Sequence, residues 1–186
     1  AQTNVACNGG STGSATVTVS GGTPGYTYSW SPSGGTLATA AGLVAGTYVC
    51  TIMDANGCTT TQSVTLTQPT AITMSSLSQS NVSCNTGADG TAAVTAALGG
   101  TPGYTYNWAP GNPVGDGTTS VTGLTAGAWT CTVTDAIGCA RVVNFTITQP
   151  SALSLTQAGS TNPTCGASNG SASVNALGGT SGYTYD

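Results

Sequence analysis

Apolar and polar side chains alternate along short stretches of this chain, and Gly, Pro, Asn and Ser residues interrupt these stretches at intervals of roughly 8 to 12 residues. An alternation with a period of two is typical of strands that bury one face and expose the other. In the first part of the chain the clearest predicted strands cover residues 15–19, 26–30, 46–52 and 63–67. No segment has the periodicity of an amphipathic helix. The pattern therefore predicts an all-β protein of antiparallel strands, packed as β-sandwiches, with essentially no helix.

Two of these strands place their large side chains on a single face, which is expected to form the core: Tyr26, Tyr28 and Trp30 in one, and Tyr48, Cys50 and Ile52 in the other. The segment D-A-N-G-C at residues 54–58 predicts a hairpin with a three-residue loop, in which Gly57 supplies the positive φ of a bulge. In this register the hairpin pairs three positions: Asp54 with Cys58, Ile52 with Thr60, and Tyr48 with Val64.

The chain also repeats itself, which decides its domain organisation. The motif N-V-A-C-N-G-G at residue 4 returns in similar form at residues 81 and 162. G-G-T-P-G-Y-T-Y at residue 21 returns unchanged at residue 99 and as G-G-T-S-G-Y-T-Y at residue 178. We expect Ig-like repeat 1 at residues 1–69, whose N-terminal strand could be truncated, repeat 2 at 70–150, and a partial repeat 3 at 151–186. Because two or three strands are not stable alone, repeat 3 is expected to borrow strands from a neighbour or from further chain.

Charge is almost absent, since only 3% of the residues are charged and Arg141 is the single basic residue. Hydrophobic residues nevertheless make up 38% of the chain, enough to build cores. A surface without cations lacks the electrostatic footprint of a nucleic-acid-binding protein. No apolar run approaches the roughly 20 residues of a membrane span. Residues 1–20 lack the features of a signal peptide, so we expect that one has been removed or that the sequence is part of a longer chain.

The seven cysteines recur at equivalent positions, with no histidine and no C-x-x-C motif, which favours disulfides in an oxidising extracellular compartment over a zinc site. The hairpin register places Cys50 and Cys58 about 13 Å apart, whereas bridged Cα atoms are rarely more than ~7 Å apart. Cys7 could therefore pair with Cys50 or Cys58. By the same reasoning, Cys84 could pair with Cys131 or Cys139. One thiol per repeat is left over, either as a small buried hydrophobe or as a staple between neighbouring domains or subunits.

Four motifs occur in a fixed order: C-x5-G-S-A-T-V-T-V-S-G-G-T-P-G-Y-T-Y-S-W, G-L-V-A-G-T-Y, D-A-N-G-C and T-Q-P. Together they resemble the SprB-type repeat, over both full copies and the third fragment. That repeat is characteristic of very large cell-surface proteins of Bacteroidota, including mobile gliding adhesins, and the resemblance implies export by the type IX secretion system. It also implies two disulfides, Cys7 with Cys58 and Cys84 with Cys139. The odd or cross-linking cysteines are then Cys50, Cys131 and Cys165.

The residues offer little for catalysis or metal binding. Nucleophilic catalysis by Ser or Thr needs a neighbouring base, and the chain has no His, Lys or Glu. Paired-carboxylate catalysis needs two acids in one cleft, but Asp54 and Asp135 occupy equivalent hairpin positions in different repeats and are expected to hydrogen-bond the turn backbone. Asp89 and Asp116 are weak Ca²⁺ candidates. We therefore expect no enzyme, no catalytic residue, no cofactor and no established metal site.

The function expected from these features is structural or adhesive: an extracellular repeat protein of a cell-surface filament or giant adhesin stalk. Its expected partners are neighbouring repeats or further copies in a fibre, and no nucleic acid. One alternative is a module that binds a carbohydrate or an abiotic surface through the variable loop at residues 109–122, which would need an exposed aromatic or acidic cluster there. Another is a passive spacer in a larger secreted protein.

Overall fold

The computed structural model describes all residues from 1 to 186 and consists of strands, turns and loops without a helix. In chain order the strands are β1 Gln2–Thr3, β2 Gly13–Thr16, β3 Thr27–Ser31, β4 Thr39–Leu43, β5 Gly46–Met53, β6 Thr59–Leu66, β7 Ser76–Ser80, β8 Gly90–Val94, β9 Thr105–Ala109, β10 Ser120–Leu124, β11 Gly127–Thr134, β12 Ala140–Ile147, β13 Ser154–Thr161 and β14 Ser171–Leu177. The predicted all-β class is confirmed. No helix long and apolar enough to cross a membrane is present.

Repeat 1 contains two three-stranded sheets, with the strand orders β1-β2-β4 and β3-β5-β6. Both sheets contribute side chains to one core, as expected for a sandwich: Ala15, Val17, Trp30, Ala40, Leu43, Tyr48, Cys50, Ile52 and Leu66. Repeat 2 repeats this arrangement with β7-β8-β10 and β9-β11-β12, whereas repeat 3 has the single pair β13-β14. Burial alternates along β2, β5, β8 and β11, so in these strands the apolar pattern decides which face is buried.

The predicted hairpin register is confirmed. Ile52 faces Thr60 and Tyr48 faces Val64 across β5 and β6, and the Asp54 N–H donates to the Cys58 carbonyl over 3.0 Å. The strand predicted at residues 63–67 begins earlier, at Thr59. Its first four residues are polar and exposed, so the apolar pattern does not reveal them, but their backbone pairs with β5 all the same.

The mutually contacting residues form two compact units. Unit 1 comprises Ala1–Thr73, Ala97–Thr105 and Val133–Arg141, and unit 2 comprises Met74–Ala96, Tyr106–Thr132 and Val142–Asp186. This division follows contacts rather than sequence similarity, so the repeat boundaries at 1–69, 70–150 and 151–186 stay a prediction. Unit 1 nevertheless brings repeat 1 together with three short segments of repeat 2, residues 70–73, 97–105 and 133–141.

Candidate functional site

A short loop that precedes β2 is tied to the T-Q-P segment that follows β6. The side-chain amide of Asn8 donates to the Pro69 carbonyl over 3.0 Å, and the Gly9 N–H donates to the Gln68 side-chain oxygen over 2.8 Å. These bonds connect residues that are about 60 positions apart in the chain. They hold Cys7, which lies next to Asn8, at the C-terminal end of β6.

The linker after T-Q-P lies against the double-glycine turn of repeat 2. The Gly100 N–H donates to the Thr70 carbonyl over 2.8 Å. Gly99 has a φ of +80°, and a Cβ at this position would lie 2.1 Å from the Ala71 carbonyl oxygen. Only glycine fits there, because any side chain would collide with the linker backbone. The double-glycine turn of repeat 2 therefore leaves room for the backbone of the linker that follows repeat 1.

The carboxylate of Asp135 organises the hairpin that ends at Cys139. It accepts hydrogen bonds from the backbone N–H groups of Thr101 (2.9 Å), Ile137 (3.1 Å) and Cys139 (2.8 Å). These donors, Thr101 first, hold the pKa of Asp135 below its ordinary value of 3.8, although burial acts in the opposite direction. The expectation that Asp54 and Asp135 bond the turn backbone is confirmed. Asp135 is also the buried member of this pair, with only 5% of its surface exposed.

A disulfide between Cys7 and Cys139 closes the contact between the loop of repeat 1 and the hairpin of repeat 2. The two Cα atoms are 5.6 Å apart, and the residues are separated by 132 positions in the sequence. The pairs implied by the family resemblance, Cys7 with Cys58 and Cys84 with Cys139, are therefore wrong. Cys58 and Cys84 are free and exposed. These elements together are called the repeat joint. They are the Cys7–Cys139 disulfide, the loop before β2 that carries Cys7, the linker at residues 70–73, the double-glycine turn at residues 99 and 100, and the hairpin at residues 135–139.

The length of β6 explains why the bond does not form within one repeat. Cys58 lies just before β6, whereas Cys7 is tied to the T-Q-P segment beyond its other end. The eight residues of β6 span roughly 26 Å, and a disulfide requires Cα atoms within ~7 Å. The sequence contained this signal, because a full strand separates G-C from T-Q-P in each complete repeat.

The remaining cysteines fall into two classes. Cys50 and Cys131 are completely buried. Burial raises the pKa of both thiols, and burial together with the charge of Asp116 raises that of Cys131 to about 11. Both therefore act as small buried hydrophobic side chains, which is the first of the two alternatives for the leftover thiol, and they do not link neighbouring domains or subunits. Cys165 is free and exposed.

Neither weak calcium candidate is part of a cluster of ligands. Asp89 accepts a hydrogen bond from the Ser83 N–H over 3.0 Å, and hydrogen bonds from Ser83 lower its pKa. Asp116 accepts from the Trp108 N–H over 2.8 Å. The structure contains no group of three or more His, Cys, Asp or Glu side chains that could hold a metal ion. In both cases the carboxylate shapes its own loop.

The alternative function, a module that binds a carbohydrate or a surface, would use the loop at residues 109–122 for recognition. Its acidic residue, Asp116, is engaged by the Trp108 backbone, and its most exposed large side chain is Val114. The loop contains no aromatic residue. It therefore lacks the aromatic platform on which a sugar ring would stack.

Comparison with known proteins gives one clear result. The SprB repeat family matches three segments, residues 1–35, 76–113 and 158–186, which together make up more than half of the chain. Each segment begins near the start of one predicted repeat and includes its cysteine loop. No curated protein matches the chain. The predicted resemblance is thus confirmed, and the chain belongs to the SprB repeat family.

Proposed function

We propose that this chain is a structural segment that withstands tension in a cell-surface adhesin or filament. The observation that carries the proposal is the Cys7–Cys139 disulfide, which links consecutive repeats across 132 positions. A force pulling on both ends of the chain would have to break this covalent bond before the joint could open. The linker hydrogen bonds alone would give much less resistance, because each contributes only about 1 kcal/mol.

The sequence and the family support a mechanical rather than a catalytic role. A chain with 3% charged residues offers few groups for electrostatic recognition or acid–base chemistry. Its exposed polar residues are mainly Thr, Ser, Asn and Gln, which hydrogen-bond to water without attracting counter-ions. The SprB repeat is a structural repeat, which agrees with display and contact as the task of this chain.

We also infer an extracellular location. Disulfides persist in oxidising compartments and are rare in the cytosol, and SprB repeats are found in surface and secreted proteins. Export by the type IX system and a part in gliding adhesion are the finer forms of this proposal, and they rest on the family alone.

Single-molecule stretching of the full chain tests whether it withstands tension in this way. With the disulfide intact, the segment between residues 7 and 139 cannot extend, and reduction should release its hidden length. At about 3.5 Å per residue, the 132 residues correspond to roughly 460 Å of extra extension. A Cys7→Ser chain should show the full extension without reductant, and a Cys84→Ser chain should behave like the wild type. A chain that extends like a flexible polymer, without unfolding events and without a response to reductant, would instead be a passive spacer.

A further inference from the structure

Arg141 is the only basic residue of the chain, and it has no acidic partner. It lies near the start of β12, where its side chain is exposed. No carboxylate forms a salt bridge with it. The acid nearest to it in the sequence is Asp135, whose carboxylate accepts from three backbone N–H groups of the joint. The positive charge of Arg141 is therefore not compensated within the chain.

Strand formation does not require an arginine at this position. The equivalent residue of repeat 1 is Thr60, which follows Cys58 by two residues as Arg141 follows Cys139. Both side chains are exposed on the strands that carry them. Threonine is among the residues that favour strands, so a threonine would suit β12 as well as it suits β6. Neither packing nor strand propensity explains the arginine.

Arg141 lines a cleft at the repeat joint that has a volume of about 360 Å³. This volume lies in the range of small-molecule sites. The walls of the cleft come from repeat 1, from the linker and from repeat 2, and all of them belong to unit 1. They consist of Cys7 and Asn8, residues 69–72, Gly100 and residues 138–141. No aspartate lines the cleft, so the guanidinium is its only charged group.

A guanidinium in this place favours a carboxylate as its partner. Its planar group can donate two parallel hydrogen bonds to the two oxygens of one carboxylate. The chain as a whole carries a formal charge of -4 and has no second basic side chain. Electrostatic attraction of an anionic ligand is therefore concentrated at this cleft.

The cleft also presents oxygen atoms that accept hydrogen bonds. The side-chain nitrogen of Asn8 donates to the Pro69 carbonyl over 3.0 Å, and the side-chain oxygen of Asn8 is left without a donor. The Pro69 carbonyl has a second lone pair. Hydroxyl groups can donate to both oxygens. The half-buried Ile72 and the Cys7–Cys139 disulfide add an apolar surface, against which the C–H face of a sugar ring can pack.

We propose that this cleft binds an acidic sugar, namely a uronate residue of an anionic polysaccharide. Its carboxylate pairs with Arg141, and its hydroxyl groups donate to the oxygens of Asn8 and Pro69. A neutral sugar would leave the guanidinium without a partner, and a small carboxylate such as acetate would leave the two oxygens without donors. The inference rests on the proposed function as an adhesin segment and gives that segment a ligand class.

The ligand would contact both sides of the repeat joint, since Asn8 belongs to repeat 1 and Arg141 to repeat 2. A ligand that binds only the closed joint stabilises it, and opening of the joint removes the binding site. Reduction of the Cys7–Cys139 disulfide, which closes the joint, should therefore weaken binding of the sugar.

An NMR titration of the full-length chain with trigalacturonate tests the proposal. The wild-type chain should bind this trisaccharide saturably, with chemical-shift changes at the Asn8 side-chain amide, Gly138 and Arg141. The fully methyl-esterified trisaccharide keeps the sugar rings but has no charge. At equal ionic strength it should bind at least about tenfold more weakly, because it cannot make the charged hydrogen bonds to the guanidinium.

Two variants locate the charge that binding requires. Arg141→Thr copies the equivalent residue of repeat 1 and should raise the Kd for trigalacturonate at least about tenfold. Adding Asn144→Arg to this variant restores the net charge from an exposed position of the same strand outside the cleft, and it should not restore binding. Both positions are exposed, and circular dichroism verifies that the variants fold.

The proposal is overturned if the wild-type chain shows no saturable binding, or if the methyl ester binds as tightly as the acid. It is also overturned if Arg141→Thr binds like wild type, if Asn144→Arg restores binding, or if the shift changes lie away from the cleft. None of these results would affect the proposed mechanical function. Arg141→Thr keeps the Cys7–Cys139 disulfide, so its stretching behaviour should equal that of the wild-type chain.

Discussion

Replacing Cys7 by serine should strongly lower the free energy of unfolding of unit 1 and leave its strands unchanged. The change removes the Cys7–Cys139 disulfide, which closes a loop of 132 positions. In the chain-entropy description of disulfides, a loop of this length corresponds to about 5 kcal/mol, and most measured losses are nearer 2–4 kcal/mol. We therefore expect the free energy of unfolding to fall by about 2–5 kcal/mol.

Urea denaturation without reductant measures this loss. With an m value of about 1–3 kcal/mol per molar urea, a loss of about 3 kcal/mol lowers the midpoint by at least about 1 M. Trp30 reports on unit 1, while Trp108 and Trp129 report on unit 2. Replacing Trp108 and Trp129 by phenylalanine in every variant leaves Trp30 as the only tryptophan. Its fluorescence then follows the unfolding of unit 1 alone.

Cys84→Ser provides the matched control, because Cys84 occupies the equivalent loop position but is free and exposed. Its midpoint should equal that of the parent chain. If Cys7→Ser and Cys84→Ser had the same midpoint, or if reductant did not lower the midpoint of the parent, the assignment of the disulfide to the joint would be refuted.

Three further predictions concern the joint and the thiols. The folded-state pKa of Asp135 lies below 3.8, so its stabilising contribution is complete above that value and is lost as the pH falls further. The urea midpoint of the parent chain should therefore drop at acid pH, and Asp135→Asn should make the midpoint less dependent on pH. Gly99→Ala should destabilise the chain more than Gly21→Ala, since both glycines have positive φ but only the first substitution collides with the linker; equal thermal midpoints would contradict the joint. A thiol reagent should label the exposed cysteines of the native chain within minutes, namely Cys58, Cys84 and Cys165. It should label the buried Cys50 and Cys131 only in denaturant, and rapid labelling of all five would contradict their burial.

Local features of the fold could be predicted well from sequence, because alternation and turn chemistry act over a few residues. The hairpin at residues 54–58 illustrates this, since Asp and Gly at fixed offsets determine its loop and its register. The start of β6 could not be found in the same way. Its first residues pair through backbone atoms, which an apolar pattern does not report.

The partner of Cys7 could not be derived from the same local signals. Pairing within one repeat is the simplest assumption when each repeat has the same cysteines, and the family resemblance implied it. The choice depends on which ends of the strands meet, and that is a property of the contact between repeats. The linker backbone approaches the double glycine at residues 99 and 100 closely, and the sequence does not identify the linker as the segment that lies there.

Disulfide mapping of the alkylated, non-reduced chain monomer is the most direct test of the joint. Cleavage before each aspartate separates the cysteines into peptides 1–53, 54–88, 116–134 and 135–185. The structure predicts a covalent pair between peptides 1–53 and 135–185 through Cys7 and Cys139, with peptide 54–88 unlinked. Links from peptide 54–88 to both of the others would instead establish bonds within each repeat, and the repeat joint would be wrong.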